Sequence, residues 1–301
     1  MVDTAWTDLF VPSATNEEPR YFRDHCLYNS SRSSTYVGSH TKASIHWNGL
    51  YTSGNVSQDT LHIADLRVEY QKFEEASKFR PVVFFWDYIF DAVLGLARLP
   101  IHSKESTLRA PGPYQNMVEQ MLLHRNVIGL RLPMTDAEHG ELSFGSINTD
   151  LFSGELIPLS IDESTHHSAA LDGTSFSGWQ VAIGAISLTS DSQEFVAPLP
   201  MHTAVFQSAY PWIDVPSQVA QDLVRLSGAD DSNYVDCNRK RHMPNLTITL
   251  GPESKDFTLV PDDYVLDFVA PWSGTRVCMV PFNERDEESE VAKHVILGTS
   301  F

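Results

Sequence analysis

Apolar and polar residues alternate over short runs along most of the chain, the period-2 pattern that sends successive side chains to opposite faces of a strand. The runs "ASIHW" (Ala43–Trp47), "TLHIADLRVEYQKF" (Thr60–Phe73), "ELSFGSI" (Glu141–Ile147) and "ELIPLSI" (Glu155–Ile161) read this way, and so do "WQVAIGAISL" (Trp179–Leu188), "LTITL" (Leu246–Leu250) and "FTLV" (Phe257–Val260). Gly, Asn, Asp or Pro breaks them apart. Helical spacing of apolar residues is rarer. It predicts a helix over Pro113–His124, with Pro113 near its start, and another over Pro216–Leu226, with Pro216 leading in. The pattern predicts a mainly β protein with a few short helices.

The chain also repeats itself. Asp3-Thr4-Ala5-Trp6 aligns with Gln207-Ser208-Ala209-Tyr210, Leu9 with Ile213, and Val11-Pro12-Ser13 with Val215-Pro216-Ser217, without a gap. About ninety residues after each copy comes a second matched pair, "FDAVLGLARL" (Phe90–Leu99) and "HVILGTSF" (His294–Phe301), each with aliphatics followed by Leu-Gly. Two motif pairs in the same order predict two similar β lobes. "GSINTDLFSGE" between them collects small and turn-forming residues. The boundary is placed there, giving lobes over 1–148 and 149–301.

Composition narrows the function classes. With 42% hydrophobic and 20% charged residues in 301, the chain fits a globular fold. Its net charge of −18 argues against nucleic-acid binding, which needs surplus Lys and Arg. It also suits an acidic compartment. The longest apolar run, near Val82–Phe90, is interrupted by Asp87, so no membrane span is expected. Three cysteines leave at least one unpaired. Sequons at Asn29, Asn55 and Asn245 would matter on a secretory route, and no signal peptide is expected in this chain, where two residues precede Asp3.

The residues around these motifs carry a resemblance. Asp3-Thr4-Ala5 runs on to Leu9-Phe10-Val11-Pro12-Ser13, followed by "NSSRSSTY" (Asn29–Tyr36) and by "SGNVSQDTLHIADLRVEYQKFEEAS" (Ser53–Ser77). "FDAVLGL", "YVDCNRKRHMPNLTITL" (Tyr234–Leu250) and "FTLVPDDYVL" (Phe257–Leu266) continue it over nearly the whole length. The chain resembles the pepsin-like aspartic peptidases, and among them the fungal vacuolar, cathepsin D-like branch. The resemblance implies two pseudo-symmetric β lobes, a peptide-binding cleft between them and a hairpin flap over the cleft. It also implies a chain short at both ends, with unpaired strand edges and an open core expected there, a vacuolar or extracellular location, and a monomer that uses no cofactor or metal.

In that family one carboxylate from each lobe shares a proton, and the pair divides into acid and base. The first maps to Asp3 and the second to Gln207, which is neutral and one methylene longer than aspartate. Both motif glycines are alanine, Ala5 and Ala209, whereas Thr4 and Ser208 keep the hydroxyls that tie the two loops together. Trp6 and Pro211 stand where the family has serines. The flap tyrosine maps to Trp47, and Asn48-Gly49 follows, with Asn48 stiffening a turn built for glycine. The expectation is a peptidase homologue without activity that holds a peptide or protein in the cleft. The alternatives are an active acid endopeptidase and a partial product with no stable fold. The resemblance also implies a disulfide between Cys237 and Cys278, with Cys26 free.

Other candidates take blander readings. Asp8 and Asp214 could stand in for the missing carboxylate, but a solvated or capping role is preferred for both. Trp6 and Tyr210 are read as filling space rather than lining a ligand site. His166-His167 is read as an exposed loop, not a metal pair, and the acidic run Asn283–His294 as a solvated surface loop.

Overall fold

The alternating runs become strands wherever one face of the run can be buried. A computed structural model describes residues 1–18, 22, 24–80, 90–98, 106–133, 138–162, 178–190, 193–270, 273–285 and 293–301. The chain divides into two compact units, the first mainly Met1–Pro133 and His139–Ser153, the second mainly Gly154–Ser168 and Trp179–Phe301.

In the first unit the strands are β1 (Val2–Asp3), β2 (Leu9–Pro12), β3 (Val37–Trp47), β4 (Leu50–Ile63), β5 (Leu66–Arg80), β6 (Val93–Gly95), β7 (Ile128–Arg131) and β8 (Glu141–Phe144). The first six make one sheet in the order β1-β6-β2-β5-β4-β3, and β7 pairs with β8. Phe10, Ile45, Leu50, Phe79, Leu96 and Met117 are buried at its core. The run predicted as one stretch over Thr60–Phe73 is two strands. It turns at Ala64-Asp65, and β4 and β5 pair from Tyr51↔Arg80 to Ile63↔Leu66. Helix α1 (Pro113–Glu119) stops five residues short of the predicted end. Met121, just beyond it, has φ of 54°, which helical backbone cannot continue.

One carboxylate fastens the "NSSRSSTY" segment to β4. Asp59 accepts from Tyr28 Oη at 2.6 Å, Ser33 Oγ at 2.9 Å, Thr35 Oγ1 at 2.5 Å and the Thr60 N–H at 2.8 Å. Burial alone would raise this carboxyl, but the four donors outweigh it and hold Asp59 below the usual aspartate range. Its stabilisation is therefore present above that range and is lost as the pH falls through it. Asp59→Ala strips the acceptor from three hydroxyls at once and is expected to cost about 3 kcal/mol. The urea midpoint at neutral pH measures this, and an unchanged midpoint would show that the cluster is ornamental.

The second unit holds β9 (Gln180–Ser190), β10 (Gln193–Phe206), β11 (Ile213–Pro216), β12 (Tyr234–Val235), β13 (Asn245–Leu250), β14 (Lys255–Leu259), β15 (Leu266–Val269), β16 (Arg276–Met279), β17 (Phe282–Arg285) and β18 (His294–Leu297). Seven of them form a sheet in the order β14-β13-β9-β10-β18-β11-β17. Helix α2 (Ser217–Ser227) buries Ala220 and Leu223 against that sheet's core. Pro216 is its cap rather than its first residue, and Gly228, at φ 76°, closes it in the left-handed conformation that favours glycine. A short helix, α3 (Pro261–Tyr264), follows β14. Cys237 and Cys278 form the expected disulfide across 41 residues, worth about 3–4 kcal/mol for a loop of that length. Cys26 is free and exposed.

Three sequence readings are corrected here. "ELIPLSI" forms no strand. Leu156 and Ile157 are exposed, Pro158 cannot donate to a ladder, and only Ile161 makes an isolated bridge, to Val181. The acidic run is not a loop throughout, because Asn283–Arg285 belongs to β17 and His294 opens β18, buried and bonded through Nδ1 to the Thr203 hydroxyl. Its middle, most of Val82–Phe90, and His166-His167 lie outside the described residues. Asp8 is not solvated: it is only 6% exposed. Among the described residues, no helix is long and apolar enough to cross a membrane.

Candidate active-site loops

The two copies of the repeat fold into the same strand arrangement. Parallel β1 and β6 put Val2 opposite Leu94 and Asp3 opposite Gly95, while β6 runs antiparallel to β2 with Leu94 opposite Leu9 and Val93 opposite Phe10. In the second unit Phe206 lies opposite Leu297, and β18 runs antiparallel to β11 with Leu297 opposite Ile213 and Ile296 opposite Asp214. The register is identical, so Asp3 and Gln207 leave equivalent strands at equivalent points.

Each loop is held by the main chain. Leu96 N–H donates to Asp3 O and Ala97 N–H to Trp6 O, both at 2.9 Å. Gln207 N–H donates to Leu297 O at 2.9 Å, Gly298 N–H to Trp212 O at 3.0 Å and Thr299 N–H to Tyr210 O at 2.7 Å. Gly95 and Gly298 sit directly against these loops. A Cβ on Gly95 would lie 2.6 Å from Trp6 O, and one on Gly298 would lie 2.2 Å from Tyr210 O.

Within its own unit Asp3 is closed in. It is 1% exposed. Its Oδ1 accepts from the Ala5 N–H at 2.8 Å, and its Oδ2 accepts from Trp47 Nε1 at 2.7 Å. Burial pushes the Asp3 carboxyl above its ordinary range, and the bonds from Trp47 and Ala5 oppose this without cancelling it. Trp47 reaches Asp3 from the end of the β3–β4 hairpin. Its indole packs edge-on to Phe90 at 5.6 Å and tilted to Phe10 at 6.5 Å. The hairpin turns on Asn48-Gly49, at φ 45° and 79°, with Trp47 opposite Leu50. Asparagine is well suited to that left-handed position, so it fits the two-residue turn rather than straining it.

Gln207 is half-buried, as are Ser208 and Ala209 in the turn that follows. Thr4 and Ala5 make the equivalent turn after Asp3. Tyr210 OH donates to Asp214 Oδ1 at 2.9 Å and accepts from Asn283 Nδ2 at 3.1 Å. Burial is the main cause that raises the Asp214 carboxyl. That hydroxyl is therefore occupied inside its own unit. Trp6 is 5% exposed, and its Nε1 finds no acceptor among the described residues.

Sequence reasoning missed Glu74. It lies on β5 between Phe10 of β2 and Val56 of β4, 0% exposed, and neither carboxyl oxygen makes a hydrogen bond among the described residues. Burial pushes it up to about 8, the Thr52 hydroxyl opposes the shift, and the Asp8 charge adds to it. The only metal-like grouping of donors among the described residues is Cys237, Cys278 and Asp267. It cannot hold an ion, because the two sulfurs are bonded to each other and Asp267 is bidentate to Arg276 at 2.8 and 2.6 Å.

Comparison with known proteins bears on the whole chain. Residues 1–301 match the family model described as eukaryotic aspartyl protease. Vacuolar protease A of Neurospora crassa is 30% identical over 305 residues, which take in 100% of this chain and 69% of that protein. The vacuolar protease A of Aspergillus fumigatus is 30% identical over 307 residues, with 100% and 70% covered. Cathepsin D of Gallus gallus is 26% identical over 309 residues, with 99% and 71% covered. With one loop-and-strand motif folded twice in the same register and a match that runs from end to end, the chain belongs to the eukaryotic aspartyl proteases, the pepsin-like aspartic peptidase family.

Proposed function

We propose that this chain is a pepsin-like protein without peptidase activity, which holds a peptide or protein segment instead of cutting it. The observation that carries the reading is the state of Asp3. Both of its oxygens are taken by donors of its own unit, Ala5 N–H and Trp47 Nε1, and the equivalent position of the repeat is the neutral Gln207. Hydrolysis by this family's chemistry needs one carboxyl to take a proton from water and another to give one to the peptide carbonyl. An amide does neither. Positioned acid–base groups contribute roughly 10²–10⁴-fold each, and a pair that acts as a unit loses nearly everything with either member. Thr4 and Ser208 stay as loop residues in this reading. The names of the relatives support a vacuolar or secretory location.

The purified chain is expected to cleave a denatured protein substrate no faster than its Asp3→Ala variant at acid pH. Pepstatin-sensitive cleavage that Asp3→Ala abolishes would overturn the reading and favour the second one, an active acid endopeptidase, which the end-to-end family match supports. Gln207→Asp with Ala5→Gly and Ala209→Gly tests whether only the chemistry was lost, since turnover in that triple variant requires an otherwise serviceable groove.

A further inference from the structure

The second unit carries a pocket of about 140 Å³ whose walls come from β9, β10, the end of α2 and the 3₁₀ helix Cys237–His242. None of its residues belongs to the Gln207 loop. Its apolar side is Leu188, Phe195, Leu226 and Met243. That volume is close to the size of cavity that accepts a benzene ring.

Its polar side holds Arg239 with His242 and Asp236, on a chain whose net charge is −18. The 3₁₀ helix ends Arg239-Lys240-Arg241-His242. Lys240 is buried and spoken for, with Asp262 at 3.2 Å and Asp267 at 3.6 Å. Arg239 and His242 line the pocket, and among the described residues neither side chain has an ion pair or a hydrogen bond. The Arg239 guanidinium stands beside Gly228, 4.0 Å from where a Cβ there would lie. The pocket's own acid, Asp236, is turned to its helix and accepts from the Asn238 N–H at 2.9 Å and from Asn238 Nδ2 at 3.0 Å. It makes no ion pair with Arg239 among the described residues. A guanidinium with no ion pair among the described residues, next to an apolar hollow, matches a ligand with a carboxylate at one end and a compact hydrocarbon group at the other.

We propose that this pocket binds a small carboxylate bearing a branched-aliphatic or phenyl-sized group. Arg239 and His242 take the carboxylate, and Leu188, Phe195, Leu226 and Met243 take the hydrocarbon. The same chemistry is offered by a free short-chain acid and by the C-terminus of a peptide ending in an apolar residue. 4-Methylpentanoate and N-acetyl-leucine share the isobutyl group and the carboxylate, and only the second carries the peptide amide. Calorimetric titration of the full chain is expected to give a Kd of about 1 mM or tighter for at least one of them. Arg239→Gln, at an exposed position, should weaken that binding about tenfold or more without moving the thermal midpoint, and neutral 4-methylpentanamide should show the same loss. Tighter N-acetyl-leucine identifies the peptide C-terminus as the source, and equal affinities identify the free acid. No heat from either acid at about 20 mM, binding that survives Arg239→Gln, or amide and acid binding alike would each overturn the proposal.

Discussion

Glu74→Gln is expected to remove most of the fall in stability that the parent chain shows as the pH rises from about 4.5 to about 8. The sign follows from which state binds more protons. In the unfolded chain Glu74 ionises near 4.5, whereas in the fold it stays protonated up to about 8. Across that window the native state carries the extra proton, so raising the pH favours unfolding. At about 1.4 kcal/mol per pH unit, the parent should lose on the order of 4 kcal/mol by pH 8, and glutamine, which cannot ionise, should keep it. The cause is geometric: a carboxyl at 0% exposure, between Phe10 and Val56, with no hydrogen bond among the described residues and only the Thr52 hydroxyl to offset its burial. Asp3 and Asp214 are raised by burial and pull in the same direction. Asp59 works from the other side, its contribution failing as the pH falls. Urea midpoints of parent and variant at pH 5 and pH 8 decide the matter. Parallel profiles would mean that Glu74 finds a partner or water that relieves it.

The second large effect is expected at Gly95 and Gly298. Neither needs glycine for its backbone angles; both need it for space. Alanine at 298 would put a methyl 2.2 Å from Tyr210 O and 2.4 Å from Trp212 O, and alanine at 95 one 2.5 Å from Thr7 C and 2.6 Å from Trp6 O. Carbon cannot occupy those distances, and the atoms it meets are loop backbone between strands, with no rotamer to yield. Gly298→Ala and Gly95→Ala are each expected to cost more than about 4 kcal/mol, enough to unfold many domains. Gly49→Ala is the comparison. It sits at φ 79° with open space around it and should cost about 1 kcal/mol. Thermal melts rank the three, and a Gly298→Ala protein that melts with the parent would show that the loop can be rebuilt around the methyl.

Much of this architecture could be read before any coordinate. The repeat and the strands around it follow from periodicity and spacing, because period-2 alternation and turn residues are local signals. Where the reading failed, the cause was non-local. "ELIPLSI" alternates well enough but, apart from the Ile161–Val181 bridge, pairs with no strand among the described residues. Asp8 and Glu74 look like ordinary surface acids, since no local pattern reports that β5 is covered on both faces and that Phe73, Glu74, Glu75 and Ala76 are all buried in succession. At the candidate site, the positions of Asp3 and Gln207 were legible from the repeat. The Trp47–Asp3 bond was not, because it joins residues 44 apart through the reach of one indole.

The main-chain bonds that shape the two loops leave a last consequence, one of inheritance rather than stability. Leu96 and Ala97 on one side, and Leu297, Gly298 and Thr299 on the other, grip Asp3, Trp6, Gln207, Tyr210 and Trp212 by peptide groups, which every residue but proline supplies in full. Side chains at positions 3 to 6 and 207 to 210 can therefore drift without unpicking the strands that carry them. A lineage can exchange a carboxylate for an amide, or a small residue for an indole, in a single step and still pass on a folded protein. In such a scaffold selection polices the side chains of these loops only for as long as their chemistry is wanted, while the glycines opposite them answer to the backbone they touch.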